Sequence, residues 1–187
     1  MSLLNLSEAE KEKPLDVAKR SIRQGREKHC ALHIDSNAYN ELLNEMGASF
    51  ITLNLNHQLR GCIGTLDAFQ PLVKDVADHA FAAAFKDPRF TPVISDEVDR
   101  LDIHISVLTK SLTIDFTDEN DLLRQLQEGV DGLILQDGPH KATFLPSVWE
   151  QLPEPKDFLN HLKTKAGLEK NYWSNSISVS RYNTISF

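Results

Sequence analysis

Pro71 opens the clearest helix of the chain, and the apolar face of that helix is broad. Eight apolar residues recur there at helical spacing: Leu72, Val73, Val76, Ala77, Ala80, Phe81, Ala84 and Phe85. Asp87-Pro88 ends the helix, because the residue before a proline avoids helical backbone angles. Residues 51–55 and 101–107 instead alternate apolar and polar side chains, which is the period of a β-strand. Strands and helices are interleaved without a regular βα order, which predicts the α+β class, with a mixed or antiparallel sheet and flanking helices.

Three further patterns predict local structure. Pro14 suits the first position of a helix that Gly25 would end. Apolar residues at i, i+3, i+4 and i+7 predict a second helix over 36–46, which Gly47 would end. The apolar positions of the tail change phase after Val179, which predicts a bulge or kink in the last strand.

Length and cysteine content favour one cytoplasmic domain. The 187 residues suit a single domain over 14–187, preceded by a polar and flexible N-terminus over 1–13. The longest apolar run is shorter than the roughly 18 residues of a membrane helix, and the first residues lack the pattern of a signal peptide. Cys30 and Cys62 are too few for a disulfide framework. We therefore expect a cytoplasmic protein with no membrane partner.

A basic cluster at residues 19–28 has two interpretations, a nucleic-acid patch and a solvated helix face. Asp16 and Glu27 interrupt the cluster, and the net charge of the whole chain is −7. Affinity for duplex nucleic acid comes mainly from neutralising phosphates, so an acidic chain is poorly suited to it. The solvated face is the favoured interpretation, and nucleic acid is a disfavoured partner.

Residues 59–66, LRGCIGTL, carry the most informative chemistry. On a strand Arg60 and Cys62 share a face, and a guanidinium beside a thiol favours the reactive thiolate. Gly61 and Gly64 remove side chains, which lets a ligand or another backbone approach closely. One interpretation is an activated cysteine or anion-binding arginine in a glycine-walled cleft. The other is a tight strand corner with a buried, inert Cys62.

A second arginine stands in a rigid connection at residues 85–92, FKDPRFTP. Two prolines hold this backbone, and a rigidly held Arg89 suits recognition of a carboxylate or phosphate. The alternative is local: Arg89 pairs with an acid such as Asp87 and fixes the turn. Both interpretations stay open.

The seven histidines do not form a metal-binding pattern. HExxH spacing and a second cysteine pair are absent from the sequence, as are the glycine-rich phosphate and dinucleotide loops. We expect no metal ion and no cofactor. His104 lies within the 101–107 alternation on the face opposite the apolar residues, which predicts a solvent-side or cleft-lining position.

These segments resemble the AMMECR-domain family, which occurs in bacteria, archaea and eukaryotes. The resemblance runs in order over about residues 15–187, and its RGCIG core is specific to that family. The matching segments are FITL at 50–53, LRGCIGTL at 59–66, PL at 71–72, AAAFKDPRF at 82–90, ISVLT at 105–109, GVDGLIL at 129–135, FLPSVWEQLP at 144–153 and KAGL at 165–168.

The resemblance implies an α+β fold of a larger and a smaller subdomain, with a cleft between them at or near RGCIG. It implies no settled reaction, since an enzyme, a regulatory factor and a role beside nucleic acid have all been proposed for family members. Prokaryotic relatives are often encoded beside, or fused to, a MEMO-like protein and a radical-SAM protein, which makes those pathway proteins candidate partners.

Three positions depart from the family pattern. His104 replaces the second acidic residue of an acidic-Ile-Glu-Ile-Ser strand, which puts any general-acid role of that carboxylate in doubt. Thr143 stands where the family has a glycine, and Ser147 stands where glutamine is common. All three could line the cleft, so this member could differ in ligand or activity.

The resulting hypothesis is binding, and conversion in a stronger form, of a small anionic molecule. Its ligand-binding residues are Arg60, Gly61, Gly64 and Arg89, and its catalytic candidates are Cys62 as nucleophile and His104. The first alternative is a non-catalytic adaptor that binds a partner peptide or protein. The second is a nucleic-acid-associated factor.

Overall fold

The computed structural model of the protein describes residues 8–187. Its helices are α1 Glu8–Lys28, α2 Glu41–Asn44, α3 Leu72–Phe85, α4 Ser95–Val98, α5 Glu119–Gln125 and α6 Pro155–Lys165, with short 3₁₀ turns at Ser36–Ala38 and Pro146–Glu150. Its strands are β1 Met46–Leu55, β2 Gln58–Gly64, β3 Gln70–Pro71, β4 Asp102–Leu108, β5 Leu112–Thr113, β6 Gly132–Asp137, β7 His140–Phe144, β8 Ser178–Tyr182 and β9 Thr184–Ser186. The predicted α+β class is confirmed. Within the described part of the chain, no helix is long and apolar enough to cross a membrane.

The chain divides into two compact units. The first contains the chain up to Thr109 together with Ile185–Phe187, and the second contains Lys110–Thr184. The cleft that the family resemblance implies stays a prediction.

The first unit contains a five-stranded sheet, the two long helices α1 and α3, and the short helices α2 and α4. The sheet has the order β2-β1-β4-β9, and β3 pairs with the start of β1. Side chains alternate between the two faces of each strand, so Ile51 and Ile105 lie in the core. There they pack with the apolar face predicted for α3 and with part of α1. Thr52 and His104, one position away, lie on the other face of the sheet. The sheet therefore has one face covered by helices and one polar face.

The first helix extends beyond both of its predicted ends. It begins at Glu8, so residues 8–13 of the expected flexible N-terminus are helical, and residues 1–7 lie outside the described part. Pro14 is buried inside the helix, which accommodates it although proline cannot donate a backbone hydrogen bond. Gly25 does not end the helix either. A Cβ there would lie 2.5 Å from Cδ2 of Phe81, so this glycine lets α1 pack against α3.

The helix predicted over 36–46 is wrong. The segment forms a 3₁₀ turn and the four-residue α2, and Met46 already belongs to β1. Polar side chains interrupt the helix by bonding to the backbone: Asn40 accepts from the N–H of Leu43, and the Asn44 amide donates to the carbonyl of Ser36. The apolar spacing was real, because Leu42 and Leu43 are buried, but it covers one turn only.

The second unit contains a four-stranded antiparallel sheet of order β5-β8-β6-β7. Its core includes Leu133, Leu135 and Val179 from the strands and Phe158 from α6. The bulge predicted in the last strand is wrong. The phase change after Val179 marks two strands: β8 ends at Tyr182 in this sheet, and β9 begins at Thr184 in the sheet of the first unit.

Candidate functional site

A row of three polar side chains crosses the polar face of the first sheet. Thr52 on β1 is the partner of Cys62 on β2 and of His104 on β4, and partners in adjacent strands share a face. Oγ1 of Thr52 lies 3.4 Å from Sγ of Cys62. The register of the three strands thus places the cysteine and the histidine on the same face, with the threonine between them.

The two glycines beside this row allow a close approach of protein backbone. A Cβ at Gly61 would lie 2.2 Å from the carbonyl oxygen of Ala83 in α3. A Cβ at Gly64 would lie 2.4 Å from the carbonyl oxygen of Ser49. Sequence alone left open whether a ligand or another backbone uses this space, and at both positions the structure has backbone there.

Asp87 and Arg89 cap the free edge of the sheet at Cys62. Strand β2 lies at the edge, and at Cys62 its backbone N–H and C=O bond to these side chains. A carboxylate oxygen of Asp87 accepts from the N–H at 2.9 Å, and NH2 of Arg89 donates to the carbonyl at 3.1 Å. The pair of side chains therefore supplies the acceptor and donor that a further strand would supply.

The same two side chains form a bidentate ion pair. Nε of Arg89 donates to Oδ1 of Asp87 at 2.9 Å, and NH2 donates to Oδ2 at 2.7 Å. The hydrogen bond from Arg89, with backbone N–H bonds from Cys62 and Arg89, holds the pKa of Asp87 far below its ordinary value against the opposing effect of burial. The Asp87 carboxylate also raises the pKa of Arg89, with a smaller electrostatic contribution from Cys62. Asp87 and Arg89 are therefore both charged at neutral pH.

Arg89 keeps one edge of its guanidinium available. The Asp87 side chain is 2% exposed, whereas that of Arg89 is 54% exposed. Nε and NH2 make the bonds just described, and NH1 makes none with residues 8–187. A fixed guanidinium with an open edge is suited to binding an anion.

Arg60 is engaged by a different partner. Its Nε and NH2 donate to the two carboxylate oxygens of Glu97 at 2.9 and 2.8 Å, and its NH1 donates to the carbonyl of Thr91 at 2.8 Å. Both side chains are largely buried, at 13% and 17% exposed. The hydrogen bond from Arg60 lowers the pKa of Glu97. Arg60 therefore ties β2 to the segment that follows the DPRF sequence.

His104 is separated from Cys62 by the width of β1. Adjacent strands lie about 4.8 Å apart, so positions two strands apart are separated by about 10 Å. Nε2 of His104 instead contacts a carboxylate oxygen of Asp102 at 2.9 Å, and both side chains are more than half exposed. A direct proton transfer between His104 and Cys62 does not fit this arrangement.

The other two departures from the family pattern lie in the second unit. The Thr143 hydroxyl donates to the carbonyl of Leu133 and lies 2.8 Å from the Tyr182 hydroxyl, so it links β6, β7 and β8. Burial raises the pKa of Tyr182 to about 12, and the Thr143 hydrogen bond opposes that shift. Ser147 is exposed in the 3₁₀ turn Pro146–Glu150.

Two cations of the basic cluster on α1 form ion pairs with carboxylates. Arg20 pairs with Asp16, and Arg23 pairs with Asp99. These pairs fit the solvated-face interpretation of the cluster. In the described part of the chain, no three His, Cys, Asp or Glu residues are grouped as a metal site would require.

Sequence reasoning missed two residues that organise the site. The strand pattern predicted on which face Thr52 lies, because Thr52 alternates with Ile51 and Leu53. Its neighbours Cys62 and His104 depend on strand register, which the pattern does not give. Nothing in the sequence indicated that Glu97 pairs with Arg60, since Glu97 lies 37 residues later and has no distinctive neighbours.

A family model for AMMECR1 matches residues 15–187. The chain belongs to the AMMECR1 family. One similar member is protein LS215_2104 of Saccharolobus islandicus, which is 40% identical over 159 residues, covering 81% of this chain and 70% of that relative. Protein SSO0193 of Saccharolobus solfataricus is 36% identical over 181 residues, covering 92% of this chain and 78% of its own length.

A protein of known structure has the same fold. The crystal structure of the uncharacterised protein PH0010 from Pyrococcus horikoshii superposes with a TM-score of 0.83 at 30% identity. The match covers 92% of this chain and 88% of that one. None of these three similar proteins is named for an activity.

Proposed function

We propose that this AMMECR1-family protein binds a small anionic molecule on the polar face of its first sheet, beside Cys62. The observation that carries the proposal is the half-exposed Arg89. Its guanidinium is fixed by Asp87 and by the Cys62 carbonyl, and NH1 has no hydrogen-bond partner among residues 8–187. Binding then costs little side-chain entropy, because the arginine is already ordered.

Arg89, rather than Arg60, is the ligand-contacting arginine of this proposal. An anion at Arg60 would have to displace Glu97 from a two-point ion pair that is largely buried. Leaving that carboxylate without its partner would be costly. Arg60 therefore acts as a positioning residue, which holds the segment that follows Arg89.

The ligand's other contacts come from the side chains on the same face. The Thr52 hydroxyl and the Cys62 thiol are half-buried, and His104 is exposed beyond them. Hydroxyl and thiol groups donate hydrogen bonds to an anion, so they suit its near side. Gly61 and Gly64 contribute indirectly, because their missing side chains let β2 lie close to α3 and to β1.

The proposal is limited to binding, because the separation of His104 from Cys62 offers no direct base for a cysteine nucleophile. Conversion with Cys62 as nucleophile would need the ligand itself, or a water molecule, to accept the thiol proton. Exchange of Cys62→Ser separates these cases, since a binding site tolerates the near-isosteric change and a cysteine nucleophile does not.

Titration of ¹⁵N-labelled protein with inorganic phosphate at constant ionic strength tests the proposal. We expect saturable chemical-shift changes at the backbone amides of Cys62 and Arg89, and their loss in Arg89→Gln. Arg100→Gln is the matched control, since Arg100 is an exposed arginine of the same unit that contacts Asn56. Shifts that persist unchanged in Arg89→Gln would refute the proposal. Failure of phosphate, pyrophosphate and citrate to bind would leave the adaptor hypothesis as the better explanation of this face.

A further inference from the structure

A concave site lies on the helix side of the first unit, away from the polar face of the sheet. It has a volume of ≈ 340 Å³, within the range of small-molecule pockets. Its apolar wall is formed by Gly25 of α1, Phe81 and Phe85 of α3, and Pro92 and Val93 of the following segment. Because Gly25 has no side chain, the two aromatic rings pack directly against α1.

The polar part of this pocket contains two cations. It consists of Arg26 and Lys86 with the imidazole of His29, and no carboxylate lines the pocket. Nζ of Lys86 lies 5.1 Å from the centre of the Phe81 ring, and Nε of Arg26 donates to the hydroxyl of Ser95. The cations are therefore held at the rim of an aromatic surface.

Arg26 and Lys86 form no ion pair within residues 8–187, although the chain carries a net charge of −7. Four of the other five arginines of the unit, Arg20, Arg23, Arg60 and Arg89, each pair with a carboxylate, and the fifth, Arg100, contacts Asn56. An excess of positive charge around an apolar pocket is complementary to a ligand that is both apolar and anionic.

We infer that this pocket, formed by Gly25, Phe81, Phe85, Pro92 and Val93 with Arg26 and Lys86 at its rim, binds a small aromatic anion. The ring of the ligand packs against the phenylalanines and Pro92, and its carboxylate or sulfonate pairs with Lys86 and Arg26. The site does not depend on the proposed function, because Arg89 is not part of its lining.

A competing explanation is that Arg26 and Lys86 stabilise the C-terminal ends of helices and bind no ligand. Helices α1 and α3 end near the pocket, at Lys28 and Phe85, and basic side chains compensate the partial negative charge of helix C-termini. In that case their removal would lower stability and leave the binding of aromatic compounds unchanged. The two explanations therefore make opposite predictions for a binding experiment.

The test uses two fluorescent probes of similar shape, 8-anilinonaphthalene-1-sulfonate and the uncharged N-phenyl-1-naphthylamine. We expect the sulfonate to bind saturably at one site and to displace the neutral probe. Arg26→Gln combined with Lys86→Gln should weaken binding of the sulfonate by about tenfold or more, while affinity for the neutral probe changes less than about twofold. Lys28→Gln is the control, because Lys28 is an exposed cation of the same helix outside the pocket lining.

Cooperative thermal unfolding of each variant verifies that the probes report on folded protein, and the two single variants replace the double variant if it is unfolded. Equal affinity of wild type and variant for the sulfonate, a parallel loss for both probes, or absence of sulfonate binding to the wild type would each overturn the inference. Arg89→Gln should leave sulfonate binding unchanged, so failure here is distinguishable from failure at the Cys62 face.

Discussion

The carboxylate of Asp87 accepts a hydrogen bond from the backbone N–H of Cys62, 25 residues earlier in the chain. The turn after α3 is thereby tied to the edge strand of the sheet. Because Asp87 also holds Arg89 through both carboxylate oxygens, this one buried acid sets the position of the arginine relative to the cysteine.

Replacing Asp87 by Asn is expected to lower the stability of the protein and its sensitivity to acid. A carboxyl whose pKa is lowered by folding stabilises the native state above its unfolded pKa, and this contribution is lost as the pH falls through the folded value. Asp87→Asn should therefore cost about 1–3 kcal/mol at pH 7. Urea unfolding at a series of pH values should show a shallower decline of its unfolding free energy below about pH 4 than that of the wild type. Parallel declines would contradict the assigned role.

Replacing Gly61 by Ala is expected to disturb the packing of β2 against α3. The new Cβ would lie 2.2 Å from the Ala83 carbonyl oxygen, which is closer than a real Cβ approaches, so the backbone of β2 or of α3 must shift within a close-packed region. We expect a loss of about 3 kcal/mol. Gly138→Ala is the control, because its Cβ would meet no atom within 4 Å and only its positive φ of 55° opposes the change, at about 1 kcal/mol. If urea denaturation gave the same loss of unfolding free energy for Gly61→Ala and Gly138→Ala, the close contact at Gly61 would be relieved at no cost.

The ion pair of Arg60 and Glu97 is expected to be strongly coupled. A double-mutant cycle of Arg60→Met and Glu97→Gln should give a coupling energy of about 1–3 kcal/mol, since the pair is bidentate and largely buried. The same cycle on Arg23 and Asp99, which are 61% and 77% exposed, should give less than about 1 kcal/mol. A coupling at Arg60 no larger than that of the exposed pair would remove its positioning role.

The sequence predicted those parts of the fold in which burial imposes a period. Residues 101–107 alternate because one face of β4 contacts the core, and residues 72–85 are apolar on one side because α3 covers the sheet. Single residues and local changes of pattern predicted the ends of helices and strands less well. Gly25 is a packing position inside α1, and the phase change after Val179 marks a change of sheet, because tertiary contacts determine both.

The candidate site was only partly predictable for the same reason. The pattern RGCIG indicated Cys62 and its strand, and DPRF indicated Arg89, with pairing to Asp87 as one of two interpretations that stayed open. The register that aligns Thr52 with both Cys62 and His104 is a property of three paired strands. The pairing of Arg60 with Glu97 depends on the path of the chain after α3, which local sequence does not encode.

Alkylation of Cys62 by a charged and an uncharged reagent tests the anion-binding claim most directly. In a Cys30→Ser background, the rate constants for iodoacetate and iodoacetamide are measured with Arg89 intact and as Arg89→Gln. Their ratio cancels the thiolate fraction, so it reports only the preference of the site for a negative charge. The account predicts that the rate constant for iodoacetate, divided by that for iodoacetamide, is about tenfold higher with Arg89 intact than in Arg89→Gln. This difference corresponds to about 1.4 kcal/mol of electrostatic attraction. The same ratio in both proteins would contradict an anion-binding role for Arg89.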